Sequence, residues 1–287
     1  MINSIINKDG SELTTKKGDK QPVCVFTVAS KTHLQYAIPM IKSLRKFHDW
    51  PVILFTDETD MTKIPDIKNL TVIDVRPYLQ DQMFFYRQKP ILSELLLDEY
   101  ELVIGLDADQ LILGSLDAIL DATDYDVGTV INWNRWDEKN YPLVQGWGIY
   151  PAEYFNCGLV AIRSKKFAHH WVVLCHTPQF DRLQYKEQDL LNALCYFGNY
   201  NVRCFDHAVV NAKINAWYGI IGKGEWNRSI VKDGKIIVPQ GFGSTPFPPT
   251  DIEIKVAHLG GGHDSPKNNW NIFFPKEVMD YINTLTK

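Results

Sequence analysis

Short, mostly apolar runs rich in β-branched residues alternate with stretches whose apolar residues recur every three or four positions, and few architectures accept that order. Segments 22–29 (PVCVFTVA), 52–56 (VILFT), 71–75 (TVIDV) and 101–106 (ELVIGL) place apolar residues on both faces, as strands do in a sheet covered on both sides. Between the first two, HLQYAIPMIKSLRKFH at 33–48 sets Leu34, Ala37, Ile38, Ile41 and Leu44 on one helical face, with Pro39 expected to kink or shorten the helix. Before the fourth strand, KPILSELLLDEY reads as a helix with Pro90 at its first position and Ile91, Leu92, Leu95 and Leu96 on one side. Strand, helix and strand in this order predict an α/β fold, a Rossmann-like and mainly parallel sheet flanked by helices.

The second half is less regular. Strand-like runs recur at 127–131, 158–162, 235–238 and 254–258, and EQDLLNALCYF at 187–197 has helical spacing. Loops rich in Trp, Gly and Pro separate them, and GFGSTPFPPTD at 241–251 is the most irregular. This half reads as a smaller subregion added to the first, with no internal repeat and no low-complexity tract. The organisation expected is a polar N-terminal arm over 1–21 and a single domain over 22–287, divided into halves at 22–132 and 133–275.

A formal charge of −4 provides no field that would gather nucleic acid or anionic lipid over the whole surface. Five cysteines, odd in number and without a CxxC pair, fit reduced thiols in a cytoplasmic protein better than a disulfide framework. The first 22 residues lack the apolar core of a secretion signal, and no later run has the length of a membrane span. Self-association into a homodimer is compatible with the sequence.

The segment LVIGLDADQL, residues 102–111, ends an apolar run in two aspartates separated by one alanine, Ala108. In a parallel sheet the ligand crevice lies beyond the carboxyl ends of the strands, where Asp107 falls. Two carboxylates this close repel each other unless a cation or hydrogen-bond donors compensate, and a divalent ion bridging to a diphosphate is one such compensation. A solvated strand end at Asp107 with a turn cap at Asp109 is the other reading of the three residues alone. An EF-hand is a weaker reading still, because that loop needs further oxygen ligands and a glycine at its sixth position, which is Ile112 here. HHWVVLCH at 169–176 spreads His169, His170 and His176 over different helical faces, which fits packing rather than metal binding.

Read with its neighbours, the stretch RQKPILSELLLDEYELVIGLDADQLILGSLDAIL at 87–120 resembles the DxD region of GT-A-fold glycosyltransferases, above all glycosyltransferase family 8, which includes glycogenin and bacterial lipooligosaccharide galactosyltransferases. Further matches follow in the family's order: FNCGLVAIRS at 155–164, EQDLLNAL at 187–194 and VAHLGGGHDSPKNNW at 256–270, while VFTVASKTHLQYA looks like the family's nucleotide-binding start. The likeness runs over residues 22–275 and implies a GT-A fold whose second half carries the acceptor side. It also implies a metal-dependent transfer of a hexose from a nucleotide-sugar, favouring a UDP-sugar, to a glycan or other hydroxyl acceptor with retention of anomeric configuration.

By position, the resemblance assigns Asp107, Asp109 and His258 to a Mn²⁺ or Mg²⁺ ion that carries the donor diphosphate. Donor-binding positions would be Thr27, Ala29, Ser30 and His33 for the nucleoside, and Lys89, Asp107, Ala108, Asn156 and Gly158 for the sugar and its attachment. Gly261 and Lys267 would meet the diphosphate. The spacing from His258 through Lys267 to Trp270 is stretched relative to the family, so His263 or Asp264 is an alternative phosphate or metal contact. Glu187, Gln188 and Asp189 match a triplet beside the reacting sugar carbon, with Glu where the family has Asp; as residues alone, they equally suit the positive end of a helix macrodipole.

The cluster Trp133, Trp136, Tyr141, Trp147, Tyr150 and Tyr154 offers flat rings suited to an acceptor sugar, or an aromatic satellite core under a long loop. Two other chemistries stay open at this point: an inverting transfer with Glu187 or Asp189 as base, and a sugar-phosphate nucleotidyltransferase. Against the second, no glycine-rich phosphate loop follows the first strand, only VASKTH.

Overall fold

In the computed structural model of the 287-residue chain, the described residues are 20–78, 84–132, 146–149, 153–206, 212–213, 229–238, 251–258 and 274–287. The main sheet contains β1 (Gln21–Ala29), β2 (Val52–Thr56), β3 (Leu70–Asp74), β4 (Tyr100–Leu106), β6 (Val127–Ile131), β7 (Phe155–Ile162) and β8 (Val202–Phe205), in the order β3-β2-β1-β4-β7-β6-β8. The neighbours β3-β2, β2-β1, β1-β4 and β6-β8 are parallel, whereas β7 runs antiparallel to both β4 and β6. The sheet is therefore mixed and mainly parallel, as the alternation of periods predicts. Strand order reverses beside β1, since β2 and β3 lie to one side and β4 to the other, and such a switch point opens a crevice between the carboxyl ends of β1 and β4.

Helices cover both faces. On one, α2 (Phe84–Leu96), α4 (Lys165–Cys175) and α5 (Glu187–Phe197) bury Leu92, Leu96, Phe167, Trp171, Leu190 and Leu191 against Cys24, Phe26 and Val103 of the sheet. On the other, α1 (Leu34–Arg45) buries Leu34, Ala37, Met40, Ile41 and Leu44 against Val23, Val25, Leu102 and Ile104. A short α3 (Asp117–Asp121) follows the DxD region. The five cysteines are free thiols.

Several boundaries differ from the sequence expectation. Helix α1 continues through Pro39, and α2 begins at Phe84 with Pro90 inside it rather than at its first position. In both cases the residue four positions earlier, whose carbonyl loses its donor, is exposed: Gln35 and Tyr86. Water can take those carbonyls, so the prolines cost less than they would on a buried face. Strand β7 starts at Phe155 instead of 158. The run 254–258 divides at Lys255 into β12 (Ile252–Ile254) and β13 (Val256–His258), which belong to different sheets.

That division places His258. Strand β12 pairs with β11 (Lys235–Val238), itself in a hairpin with β10 (Ile230–Lys232). Strand β13 lies between β9 (Ala212–Lys213) and β5 (Gln110–Ile112), antiparallel to β5 with His258 opposite Gln110. The C-terminal helix α6 (Lys276–Thr286) buries Val278, Met279, Ile282 and Leu285 in a third core with Leu111, Leu113, Ile254 and Ala257, so it backs the β5-β13 pair.

Candidate active site

Asp107 follows the last residue of β4, and its N–H donates to the Gly158 carbonyl at 2.8 Å, extending the β4-β7 ladder by one residue. The chain then turns through Ala108, and Asp109 leads into β5. Side chains of α1 and of the segment after it hold this exit: Ile112 N–H donates to Ser43 Oγ at 3.0 Å, and Leu116 N–H to His48 Nε2 at 2.8 Å. With β5 fixed, the β13 pairing delivers His258 onto the acid pair. His258 Nε2 lies 3.1 Å from Asp109 Oδ1 and 3.4 Å from Asp107 Oδ2. One ligand atom from each of the three residues falls within 4.8 Å of the others, and theirs is the only such group of three among the described residues. Asp109 and His258 are 8% and 3% exposed, so these polar groups are gathered where desolvation penalises them without a shared partner.

Two carboxylate oxygens and one imidazole nitrogen form a donor set that suits a small divalent cation and leaves coordination positions for phosphate oxygens. The backbone has kept room for it. A Cβ on Gly158 would stand 2.6 Å from His258 Cε1, 2.7 Å from Asn156 Oδ1 and 3.0 Å from Asp107 Oδ2. The sequence reading gave this glycine to close approach of a sugar; its immediate neighbours are the metal-type ligands themselves.

Lys89, on α2, reaches across the crevice. Its ammonium forms an ion pair with Asp107 Oδ1 and donates to the Cys157 carbonyl, and the residue is 6% exposed. Burial works against its charge, but Asp107, Cys157 and Glu187 together outweigh that and hold the ammonium above the ordinary lysine range. The carboxylate pair is thus already partly neutralised by a protein cation.

The start of α5 faces β7. Gln188 Oε1 accepts from Asn156 Nδ2 at 2.8 Å and from Cys157 N–H at 3.1 Å, while Asn156 Oδ1 accepts from Gly158 N–H at 2.8 Å. Asp189 is 1% exposed and accepts from the Tyr154 hydroxyl at 2.6 Å and the Tyr185 N–H at 2.9 Å. Asn192 accepts from Phe155 N–H at 2.6 Å and donates to its carbonyl at 2.9 Å.

Glu187 behaves differently. One oxygen approaches Cys157 Sγ at 3.8 Å, and the other, Oε2, is buried without a hydrogen-bond partner. Burial pushes its pKa up to about 8 against the opposing influence of Lys89. Preceding it, Lys186 has φ 48° and ψ −117°, an uncommon conformation for a residue with a side chain.

At the end of β1, Thr27 is fully buried and its hydroxyl has no partner, and Ala29 is 2% exposed. These side chains belong to the α1-facing side of the sheet, which leaves the turn after β1 as the part open to a ligand. There Ser30 Oγ lies 2.5 Å from His33 Nδ1, and Asp57, after β2, accepts from Lys31 N–H at 2.6 Å. Ala108 is partly buried against the α1 core.

The structure therefore gathers Lys89, Asp107, Asp109, Asn156, Gly158, Glu187, Gln188 and His258 at one end of β4 and β7. Gly261, Lys267, His263 and Asp264 lie outside the described residues, as do Trp133, Trp136, Tyr141 and Tyr150. Trp147 is exposed, whereas Tyr154 is fully buried against Ile149 and Tyr185. The histidines of α4 are apart: His169 meets Glu94, and His170 meets Tyr200. Sequence reasoning missed Asn192, Ser43 and His48, and of its two readings of the aromatic cluster Tyr154 follows the satellite core rather than the sugar platform. A polar residue on an otherwise apolar helical face was the available signal for Asn192 and Ser43.

No family model matches the sequence, and neither does any curated protein. Solved structures do match in three dimensions. The galactosyltransferase LgtC, solved with donor and acceptor sugar analogues, superposes with a TM-score of 0.61 at 18% identity over 92% of this chain and 96% of its own. Mouse xyloside xylosyltransferase 1 gives 0.54 at 11% identity over 87% and 99%. The glycosyltransferase GlyE of Streptococcus pneumoniae gives 0.55 at 14% identity over 93% of this chain and 61% of its own. The fold is that of the GT-A glycosyltransferases. Among the described residues, no helix is long and apolar enough to cross a membrane.

Proposed function

We propose that the protein is a metal-dependent glycosyltransferase that moves a hexosyl group from a nucleotide-sugar, a UDP-sugar by preference, to a hydroxyl of a glycan or similar acceptor with retention at the anomeric carbon. The observation that carries this reading is the convergence of Asp107, Asp109 and His258 at the mouth of the switch-point crevice. A fold shared with enzymes that include a galactosyltransferase bound to donor and acceptor analogues supports it.

Asp107, Asp109 and His258 would hold Mn²⁺ or Mg²⁺, whose contribution when bound is to offset negative charge that develops on the departing diphosphate. The residues of the chain do the rest. Lys89 keeps Asp107 oriented and places a positive charge beside the diphosphate end of the donor. The turn at Ala29–His33, tied down by Asp57, binds the nucleoside, with the His33 ring held beside Ser30. Asn156 and the uncommitted Glu187 oxygen face the sugar, and a carboxyl there tolerates the positive charge that grows on the ring as the bond to phosphate lengthens. Gly261 and Lys267 remain proposed diphosphate contacts, and the segment 133–152 remains the proposed acceptor side.

The reading is tested by incubating the protein with a panel of UDP- and GDP-sugars and following release of the nucleoside diphosphate, with Mn²⁺ and with excess chelator. Metal-dependent consumption of a donor is expected. Inertness toward every donor, or an undiminished rate in chelator, would remove the reading, and pyrophosphate release from a nucleoside triphosphate and a sugar phosphate would replace it with nucleotidyl transfer.

A further inference from the structure

Of the three polar residues that open α5, two have their side-chain oxygens engaged by the protein itself. Asp189 uses Oδ1 for the Tyr154 hydroxyl and Oδ2 for the Tyr185 N–H, and it is 1% exposed. Gln188 Oε1 serves Asn156 and Cys157. One turn further on, Asn192 satisfies both backbone groups of Phe155 and also donates to the Gln188 carbonyl at 2.8 Å. Positions 188, 189 and 192 lie on one helical face, and through them the helix takes hold of Tyr154, Phe155, Asn156 and Cys157 in succession.

An acceptor hydroxyl needs a path to within hydrogen-bond reach of a base. Asp189 offers none, since both its oxygens are already taken by Tyr154 and Tyr185. Glu187 is the group in this turn with an oxygen left over; it follows the strained Lys186, and its other oxygen approaches the Sγ of Cys157, whose carbonyl accepts from Lys89. Strain of this kind persists only where its surroundings over-determine it. Here the Asp189–Tyr185 bond closes the turn from below, while the Lys186 ammonium donates to the Asp181 carbonyl at 2.8 Å.

We propose that Asp189 is a positioning residue rather than a proton acceptor: with Tyr154 it fixes the start of α5 so that Glu187 is held, with one oxygen uncommitted, beside Lys89 in the transfer site. The proposal rests on the glycosyltransferase reading for its kinetic consequence, but not for its structural one. Tyr154 then has a function that its place beside the aromatic segment conceals. Its hydroxyl links the very start of the strand that carries Asn156 to the helix that carries Glu187, beside the bonds of Gln188 and Asn192.

The test compares wild type, Tyr154→Phe, Asp189→Asn and the double variant, each with Mn²⁺ and the donor that wild type consumes. Displacement of Glu187 should lower kcat about 10- to 100-fold, because small misplacements of reacting groups are costly. Donor KM should stay within about twofold, because the nucleoside and metal residues are untouched. The double variant should be no slower than the slower single variant, as expected for residues that act through one bond. The pH profile of kcat/KM should keep its acid limb in both single variants.

A base at Asp189 predicts the reverse: Tyr154→Phe near wild type, Asp189→Asn inactive, and the acid limb lost. That pattern overturns the proposal. Tyr154→Phe removes one hydroxyl and keeps the ring, so it decides the matter alone should Asp189→Asn fail to fold.

A second readout is independent of turnover. The Trp171 indole N–H donates to the Glu187 carbonyl at 2.8 Å, so its NMR resonance, assigned with Trp171→Phe, reports where Glu187 stands. The resonance should shift in Tyr154→Phe; if it stays in place, the proposal fails. A protein inert toward all donors would remove the functional reading and leave this readout to decide the structural claim.

Discussion

Gly158 is required by its neighbours rather than by its backbone angles. An alanine methyl there would overlap His258 Cε1 and Asn156 Oδ1, and both belong to groups held by other bonds. Gly158→Ala should leave the protein folded and weaken Mn²⁺ binding about 10- to 100-fold, the cost usual for disturbing groups that orient metal ligands, as measured by calorimetric titration. Glu187 makes a prediction about pH. In the folded protein it keeps its proton up to about pH 8, whereas unfolding returns it to its ordinary value of 4.5. Between those values the native state holds the extra proton, so the stability of the metal-free protein falls as pH rises through this window. Glu187→Gln should flatten that decline in melting temperature against pH. The sequence showed that acids cluster at 107, 109 and 187, but it carries no mark of which oxygens are already engaged.

At the scale of elements, the polar face of α5 is what the amphipathic pattern could not show. Bounds of 187–197 follow from spacing alone, and the acids at its start suit the macrodipole. Yet Gln188, Asp189 and Asn192 point inward and are hydrogen-bonded there. Asn192→Ala would strand the N–H and carbonyl of Phe155 in a buried environment, and each unmet group costs about 1–3 kcal/mol. A loss of at least the lower of those values should appear in chemical denaturation, together with weakened transfer. The prolines teach a similar lesson for α1 and α2. Local rules place a kink at Pro39 and a helix start at Pro90, but those rules do not know which carbonyl water can reach.

At the scale of the molecule, the metal-type site joins parts of the chain that lie far apart in sequence. Asp107 and Asp109 come from the end of β4, and His258 arrives on a three-residue strand that exists because β5, β9 and the C-terminal helix receive it. The parallel half of the sheet was legible, since its strands are buried on both faces and pattern strongly. Of the small sheets only the runs at 235–238 and 254–258 were, the second without its division, because strands of two to four residues give little period to read. His258 could be paired with the acids only through likeness to a family, and the antiparallel register of β13 on β5 provides the physical reason.

The central claim is that these three side chains share one divalent cation. It is tested most directly by electron paramagnetic resonance titration of Mn²⁺ into wild type and Asp109→Ala, each with and without UDP. The account predicts that wild type with UDP immobilises a single Mn²⁺ and that the variant loses this binding while remaining folded by circular dichroism. Equal binding by the two proteins, or no bound Mn²⁺ in wild type even with UDP, would contradict it.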